Sequence, residues 1–568
     1  MRRLMPSPAV PPPSPPAPPP AAPHAGSGAV TPGSAGWAQR LDSPRWLLAA
    51  LALWLLATLG LRPLLLPDEG RYANVAREML VGAAPDAWFV PTLNGLPFFH
   101  KPPLMYWLDM VAMQLFGITP FAARAAPLLG AWAMGAALYL AMRRWHGARI
   151  ARFGLAVLAT SPFFFFGGQY ANHDMLVAGL ITLAVLCIAR AVDEPPRVNP
   201  RWLVAGWVAC ALAVLAKGLI GIVLPALVIG PWLLAQGRWR QTLGLLHPLG
   251  PLAFLAVAAP WFVAVQLRYP GFFDYFFVEQ HFRRFAQTSF NNVRPFWFFA
   301  VVVPLLTLPW SLWLPVAARR LLPLRHDPVQ RATLGLYFWW GLAVLGFFSL
   351  PSSKLVGYAL PALAPWCALL AWGMALRPGR PLPLALPARS GRAWRASLAM
   401  AVLFCAVGVA GLTWTAPHSN RAAARVLAAQ LLGAPDDRVV MVDEYLYDVP
   451  FYANLKRPVL IASSWSDPDL PRHDNWRKEL FDAARFAPAV GQAVLWPLER
   501  LADLPCGTAA AWFVIKPQHA PRVLSLPGAN RVYADPNTEL WRVPGRACAA
   551  LEVPQALPAA QAPAAAPR

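Results

Sequence analysis

Eleven long apolar segments constrain this 568-residue chain more than any other feature of its sequence. Ten of them are roughly 17–25 residues long, which is enough to cross about 30 Å of hydrocarbon as a helix, and the segment 202–216 has 15 residues. They lie at 46–66, 119–141, 150–168, 173–190, 202–216, 218–236, 248–267, 295–316, 332–350, 355–376 and 396–415. A helix satisfies its own backbone hydrogen bonds in lipid. The pattern therefore predicts an α-helical polytopic membrane protein with about 11–13 transmembrane helices.

The composition supports a membrane protein and argues against a nucleic-acid-binding one. The chain is 57% hydrophobic and 13% charged, whereas soluble domains average about 25% charged residues. The net charge of +22 lies mostly in short loops between apolar segments, as the positive-inside rule expects. No zinc-finger spacing, Walker A motif or dinucleotide-binding glycine motif occurs, so neither a nucleic-acid partner nor a nucleotide cofactor is expected.

The basic loops predict which ends of the spans face the cytoplasm. If the eleven segments alternate in direction, one set of loops collects most of the arginines and is cytoplasmic. These are Arg143, Arg144, Arg149, Arg190, Arg197, Arg201, Arg238, Arg240, Arg319, Arg320, Arg325, Arg389, Arg392 and Arg395. The polar residues that interrupt apolar sequence all fall on the opposite, outward side. Their convergence predicts a shared functional site there.

The sequence predicts three regions. Residues 1–40 are rich in Pro, Ala, Ser and Gly. This composition predicts a disordered cytoplasmic tail. Residues 41–415 form the membrane domain, with amphipathic or short stretches at 70–81 and 101–117 that we expect to lie along the interface. Residues 416–568 alternate short β-like runs with turns and a helical stretch near 476–487, which predicts a small outward α/β domain. The five runs are at 438–442, 458–462, 493–496, 511–515 and 540–543. Cys506 and Cys548 in this domain are candidates for a disulfide.

Acidic residues directly after the first span are the first candidates for the site. Asp68 and Glu69 precede an amphipathic helix and are followed by Arg71 and Tyr72. A carboxylate there can orient a nucleophile or stabilise positive charge on a sugar ring. The alternative is that both residues simply favour the positive end of the helix dipole. That alternative weighs more for Glu69 than for Asp68.

Basic residues elsewhere on the outward side are the candidates for binding a phosphate. Lys101 is presented by Pro102-Pro103 at the start of an aromatic helix, and Lys217 interrupts a long apolar run. Arg283, Arg284, Lys354 and Tyr358 lie in other outward segments. A lysine there can also simply extend its ammonium to the interface. Asp174 starts a span, either as a helix cap or as part of the site. His100 and His281 are candidate zinc ligands, although two scattered histidines are a weak signal.

The chain resembles the GT-C class of polyprenyl-phosphate-dependent glycosyltransferases. The resemblance covers about residues 46–376. It rests on Pro-Asp-Glu-Gly-Arg-Tyr at 67–72, Trp-Phe-Val-Pro at 88–91, Leu-Asn-Gly at 93–95, Lys-Pro-Pro-Leu at 101–104, Lys-Gly at 217–218, and Lys354-Leu355 with Tyr358 and Pro361. The branch it resembles most is that of the bacterial lipid A aminoarabinose transferases, relatives of the protein O-mannosyltransferases.

This resemblance implies a GT-C fold, an inner-membrane location and a site facing the periplasm. It implies transfer of 4-amino-4-deoxy-L-arabinose, or another amino sugar, from undecaprenyl phosphate to a lipid A phosphate with inversion. Asp68 would face the reacting centre with support from Asp174. The donor phosphate would be held by Lys101 and Arg284, with help from Lys217, Lys354 and Tyr358. One departure is His100, where this branch usually has a Glu that can help to hold a metal.

Two alternatives stay open at this point. A protein O-glycosyltransferase would use the same type of donor, but its acceptor is a neutral hydroxyl, so Asp68 would have to act as a true base. A lipid transporter is a second alternative. Transporters often carry inverted repeats and mid-membrane sites, and this sequence shows neither.

Overall fold

The structure is a computed structural model that describes residues 43–82, 86–283, 292–376, 388–415, 419–472 and 475–547. The chain divides into two compact units, residues 1–49 and residues 50–568. Of the first unit, only residues 43–49 are described, and they include the start of a helix. The predicted tail at 1–40 lies outside the described residues. All of the observations below concern the second unit.

Most of the described chain is α-helical, with short 3-10 segments between the helices. The α-helices up to the last apolar segment are Pro44–Leu56, Asp68–Val81, Leu104–Phe116, Ala125–Thr160, Pro162–Gly167, His173–Ala191, Pro200–Lys217, Ile220–Leu234, Trp239–Gly244, Leu249–Arg268, Phe298–Leu306, Leu314–Leu321, Pro328–Ser349, Leu363–Ala375 and Ala388–Thr415. A hairpin of β1 (Thr92–Leu93) and β2 (Leu96–Pro97) precedes Leu104–Phe116, and a π-helix covers Asp274–Arg283.

Within the described ranges, seven helices are long and apolar enough to cross a membrane. There is an eighth if Phe298–Leu306 and Trp310–His326 form one broken span, in which the chain bends by 104° at the break. The predicted segments 46–66 and 218–236 form shorter helices of 13 and 15 residues. The predicted pair 119–141 and 150–168 is joined in a single 36-residue element, with non-helical backbone at Gly147 (φ 84°). The chain is a multi-pass membrane protein, as the sequence predicts.

Three of the five basic loops predicted to be cytoplasmic contact one another. Asp193 accepts hydrogen bonds from Arg144 at 3.2 Å and from Arg190 at 2.8 Å, and Arg238 donates to the carbonyl of Val192. These residues come from three different predicted loops of the basic set. The contacts therefore support the predicted alternation of the spans between them.

Residues 438–543 form a mixed sheet, the predicted small α/β region. Among the described residues it has six strands in the order β5-β4-β3-β6-β8-β7. The strands are β3 (Arg438–Val442), β4 (Leu460–Ser463), β5 (Leu495–Pro497), β6 (Ala511–Ile515), β7 (Asn530–Ala534) and β8 (Glu539–Val543). β3 to β6 are mutually parallel, and β8 is antiparallel to both β6 and β7. The helices of this part are Arg421–Leu432, Asp448–Tyr452, Trp476–Ala484, Pro488–Val494 and Ala520–Leu524.

The sequence predicts five of these strands and the helix at Trp476–Ala484, and it misses β7. β3 and β6 are apolar runs in which almost every residue is buried, and Val440, Val442, Phe513 and Ile515 lie in one apolar cluster. Short apolar runs of this kind between turns are what the sequence pattern detects. β7 is largely exposed and carries no comparable apolar run. The domain boundaries at 41, 415 and 416 stay predictions.

The C-terminal region packs directly on the helix Asp68–Val81. The Tyr452 hydroxyl accepts a hydrogen bond from the Leu64 backbone N–H at 2.8 Å, and Asn74 donates to the Tyr445 hydroxyl at 3.3 Å. A Cβ built on Gly70 would lie 3.2 Å from the backbone nitrogen of Asp448. The glycine therefore allows the two backbones to approach closely. This packing brings C-terminal side chains to the predicted site.

The cysteines divide as predicted. Cys187, Cys210, Cys367 and Cys405 are buried free thiols, whereas Cys506 is disulfide-bonded. Its predicted partner, Cys548, lies outside the described residues and is the one other cysteine of the sequence.

Candidate active site

A cavity of about 430 Å³ brings together eight of the side chains that the sequence singled out: Asp68, Arg71, Tyr72, His100, Lys101, Asp174, Lys217 and Tyr358. Its wall has a charged side and an apolar side. Six lining side chains carry a full charge, three negative and three positive: Asp68, Asp174, Glu479, Arg71, Lys101 and Lys217. The apolar side is formed by Leu219, Ile220, Val223, Phe347, Phe348 and Leu355. A charged pocket beside an apolar wall suits a ligand with an ionic head and a hydrocarbon tail.

Arg71 is the centre of one charge cluster in this cavity. It lies one turn after Asp68 and pairs with it at 2.5 Å, and it also pairs with Glu479 of the C-terminal region. Its guanidinium carbon is 4.9 Å from the Tyr72 ring centroid and 5.7 Å from that of Tyr447. Burial by itself would lower the pKa of Arg71, but Glu479, Tyr72 and Asp68 outweigh it and raise the pKa well above its usual value. Arg71 is therefore a fixed cation.

Lys101 and His100 enter the cavity from the segment between the β1–β2 hairpin and the helix Leu104–Phe116. The preceding Phe99 is buried among aromatic rings, with its centroid 5.0 Å from that of Phe272 and 4.9 Å from that of Phe486. The following Pro102-Pro103 restricts the backbone. His100 Nδ1 lies 3.8 Å from Glu479 Oε1. The segment is thus anchored on both sides of the two polar side chains.

Asp174 and Lys217 form a second ion pair in the cavity wall. Asp174 lies in the first turn of His173–Ala191, where Asn172 caps the helix and also donates to Asp174 Oδ2 at 3.1 Å. Lys217 is the last residue of Pro200–Lys217, and its Nζ lies 4.7 Å from the Tyr358 ring centroid. A Cβ built on Gly357 would come within 2.1 Å of Asp174 Oδ2. Only glycine therefore leaves room for the carboxylate.

Glu69 faces away from the cavity, unlike its neighbour Asp68. Its side chain is completely buried and accepts hydrogen bonds from Arg62, Arg124 and the backbone N–H groups of Leu65 and Ala171. Burial alone would raise its pKa, but the two arginines outweigh burial and lower the pKa to about 2. The structure thus gives Glu69 the contacts of a structural residue, not those of a group that meets substrate.

Lys354 is also drawn away from the cavity wall. Its side chain is 3% exposed, and its ammonium donates to the carbonyls of Arg294, at 3.0 Å, and Pro351. Its backbone N–H donates to the Asn292 carbonyl. These bonds tie the segment before the helix Phe298–Leu306 to the loop at 351–354. Lys354 therefore holds these two segments together instead of lining the pocket.

The arginine pair and the metal hypothesis are not tested by the described residues. Arg284 lies outside them, and the side chains of His281 and Arg283 are not described. Within the described part of the chain, no group of three or more His, Cys, Asp and Glu forms a metal site. Zinc at His100 and His281 stays a prediction, which metal analysis of the purified protein and of a His100→Ala variant would decide.

The sequence reasoning missed Glu479 and His173, both of which line the cavity. Glu479 lies in the helix Trp476–Ala484, and its other carboxylate oxygen accepts a hydrogen bond from the Tyr447 hydroxyl at 2.9 Å. No local signal separates it from an ordinary helical Glu, because its partners are distant in sequence. His173 directly precedes Asp174. The sequence at this position indicates only the start of a helix, so it gives no separate signal for the histidine.

Comparison with protein families gives one match. Residues 100–263 match the family described as dolichyl-phosphate-mannose-protein mannosyltransferase. This range contains Lys101, Asp174 and Lys217 of the cavity.

Curated relatives are similar over a longer stretch. The chain is 33% identical over 323 residues to the undecaprenyl phosphate-alpha-4-amino-4-deoxy-L-arabinose arabinosyl transferase of Erwinia tasmaniensis, covering 56% of this chain and 57% of that one. It is 36% identical over 329 residues to the protein of the same name from Aeromonas salmonicida, with coverage of 56% and 57%. The chain spans somewhat more than half the length of these relatives.

Solved structures share the fold. The crystal structure of ArnT from Cupriavidus metallidurans bound to undecaprenyl phosphate matches with a TM-score of 0.73 at 24% identity, covering 90% of this chain and 98% of that one. The archaeal oligosaccharyltransferase AglB from Archaeoglobus fulgidus matches with a TM-score of 0.50 at 14% identity, with coverage of 84% and 70%. These likenesses show that the chain has the fold of these structures, as the resemblance of the sequence motifs implies.

Proposed function

We propose that this chain is an inverting glycosyltransferase that modifies lipid A. It moves 4-amino-4-deoxy-L-arabinose, or another amino sugar, from undecaprenyl phosphate to a lipid A phosphate on the periplasmic side of the bacterial inner membrane. The observation that carries the proposal is the cavity itself, in which three basic side chains and three carboxylates adjoin an apolar wall. The names of the curated relatives supply the sugar and the carrier.

The cations suit the phosphate of a lipid-linked donor. Lys101 and Lys217 offer ammonium groups, and Arg71 offers a guanidinium that Asp68 and Glu479 hold in place. When the bond between the anomeric carbon and the phosphate oxygen breaks, its electron pair goes to undecaprenyl phosphate. The leaving phosphate gains negative charge, which the cations stabilise more strongly in the transition state than in the ground state.

The nucleophile in this proposal is an oxygen of the lipid A phosphate. It attacks the anomeric carbon from the face opposite to the leaving group, which inverts the configuration. A phosphate oxygen is already anionic, so no strong base is needed. Asp68 then acts by charge, because its carboxylate stabilises the positive charge that develops on the sugar ring, and Asp174 supports the same side of the cavity.

The location rests on three observations. Three of the five basic loops contact one another, and the positive-inside rule assigns such loops to the cytoplasm. The residues of the cavity come from the opposite ends of the same spans. The disulfide at Cys506 agrees with an oxidising compartment for the C-terminal region.

The apolar wall at Ile220, Val223 and Phe348 gives a polyprenyl chain a lateral path from the bilayer.

Mass spectrometry of lipid A from cells with and without the gene tests the proposal. We expect a gene-dependent mass increment equal to an amino sugar, absent with Asp68→Asn or Lys101→Ala. Asp86→Asn is the matched control, because Asp86 pairs with Arg268 outside the residues that line the cavity. Unchanged lipid A together with glycosylated periplasmic protein would instead support a protein acceptor. Full activity of both cavity variants would contradict the site.

A further inference from the structure

His173 is a cavity residue that the proposed chemistry leaves unused. It is the first residue of the helix His173–Ala191 and lines the cavity, yet only 2% of its surface is exposed. Its sequence neighbours have partners of their own, since Asn172 caps the helix and Asp174 pairs with Lys217. The imidazole is therefore not needed to complete either of these arrangements.

Two tyrosines fix the orientation of the imidazole ring. The Tyr72 ring meets it at a centroid distance of 4.7 Å and an interplanar angle of 81°. The Tyr106 ring meets it at 5.2 Å and 82°. Both contacts are edge-to-face, a favoured geometry between aromatic rings. The ring is thus oriented by packing, without using either of its nitrogen atoms.

Both ring nitrogens of His173 lack a hydrogen-bond partner among the described residues, and so does the Tyr106 hydroxyl. Leaving a buried polar group unpaired costs about 1–3 kcal/mol, and buried polar atoms in native proteins are nearly always paired. Edge contacts with tyrosine rings do not replace these bonds. A partner for the imidazole is therefore expected from whatever occupies the cavity.

The chemistry of His173 differs from that of the other polar groups in the wall. Arg71, Lys101 and Lys217 are cations, which match a phosphate. A neutral imidazole offers one N–H donor and one lone-pair acceptor, which matches a hydroxyl or an amine of a sugar ring. Since both kinds of group line one cavity, the phosphate and the sugar of a single donor can each meet a suitable partner.

We infer that His173 is a specificity-determining residue that hydrogen-bonds the sugar ring of the lipid-linked donor. The inference rests on the proposed function. Tyr72 and Tyr106 position the imidazole, and the cations hold the phosphate. A site built to hydrogen-bond a polar substrate group discriminates strongly against ligands that lack it, because its own buried groups are then left unpaired. His173 thus distinguishes a sugar-bearing polyprenyl phosphate from the bare lipid product, which assists product release.

The test compares two ligands on the purified full-length protein in detergent, by thermal shift or direct binding. The ligands are undecaprenyl phosphate and undecaprenyl phosphate linked to 4-amino-4-deoxy-L-arabinose. His173→Phe retains an aromatic ring and removes both nitrogens. We expect its affinity for the sugar-bearing lipid to fall about 5- to 100-fold while its affinity for undecaprenyl phosphate stays within about twofold of wild type. His173→Gln, which keeps a donor and an acceptor, should recover part of the loss.

His146→Phe is the matched control. His146 packs against Trp372 with a centroid distance of 4.1 Å and is not among the residues that line the cavity, so both ligands should bind it normally. If the Phe variant of His173 does not fold, His173→Met serves in the same comparison, because methionine adapts its shape to irregular spaces.

Three outcomes would overturn the inference. Unchanged binding of both ligands would mean that the imidazole meets only water or structure. An equal loss for both ligands would assign His173 to the phosphate or to the shape of the cavity. If wild-type protein bound both ligands equally well, the site would not recognise the sugar. Failure of the proposed function is distinguishable, since it would appear as normal binding of the sugar-bearing lipid without transfer to lipid A.

Discussion

Glu69→Gln should destabilise the protein strongly, whereas Asp68→Asn should not. Glu69 is completely buried and accepts hydrogen bonds from Arg62 at 2.5 Å and from Arg124 at 2.8 Å. The substitution replaces one carboxylate oxygen with a donor that faces other donors. It also leaves two buried arginines side by side without a counter-charge. Removing one partner of a buried ion pair typically costs about 3–5 kcal/mol.

The pKa of Glu69 gives an independent magnitude. The pKa falls from the ordinary 4.5 to about 2. Because one pKa unit corresponds to about 1.36 kcal/mol, the charged form of Glu69 contributes about 3 kcal/mol to the stability of the fold. Because the folded-state pKa is lowered, this stabilisation is fully present above pH 4.5 and is lost as the pH falls towards 2. By contrast, the Asp68 side chain is 34% exposed in its pair with Arg71, so its removal should cost only about 0–1 kcal/mol.

The assay is SDS-induced unfolding in mixed micelles at pH 7, with transfer activity measured on the folded fraction. We expect Glu69→Gln to lose about 3 kcal/mol, with activity falling in proportion to the folded protein. Asp68→Asn should unfold like wild type and transfer no sugar. If Glu69→Gln were as stable as wild type but transferred no sugar, the structural role of Glu69 would be wrong, and Glu69 would act in catalysis instead.

Asp174→Asn and Lys217→Met should each destabilise the protein more than the double variant does, because either single change leaves one buried charge unpaired; additive unfolding energies would contradict the pairing. Glu479→Gln should slow transfer by at least about tenfold with little change in the unfolding of the membrane part, because Arg71 loses its counter-charge from the C-terminal region; normal transfer kinetics would contradict a role for that contact. Burial raises the pKa of Asp448 to about 6 despite its bonds from Asn420, so its contribution to stability is fully present below pH 4 and falls as the pH rises through 6. Asp448→Asn should remove this dependence from the melting profile, and an unchanged profile would exclude Asp448 as its source.

The local sequence was sufficient for the long apolar helices, for most strands and for the grouping of site residues at one end of the spans. Apolar length and the position of arginines are properties of short segments, and so are the short apolar runs of strands such as Arg438–Val442 and Ala511–Ile515. Convergence of Asp68, Lys101 and Asp174 on one side followed from counting spans. These inferences needed no knowledge of which elements touch.

The tertiary structure alone decided what each of these charges does. Asp68 and Glu69 are adjacent in sequence, but successive residues of a helix point about 100° apart, and packing turned one towards the cavity and the other into an arginine cluster. Packing likewise directs the Lys354 ammonium to backbone carbonyls and not to the cavity. Glu479 lies in the C-terminal region and pairs with Arg71 in the cavity. The rings of Tyr72 and Tyr106 fix the orientation of His173. Such roles depend on contacts between segments far apart in the chain, which no local pattern records.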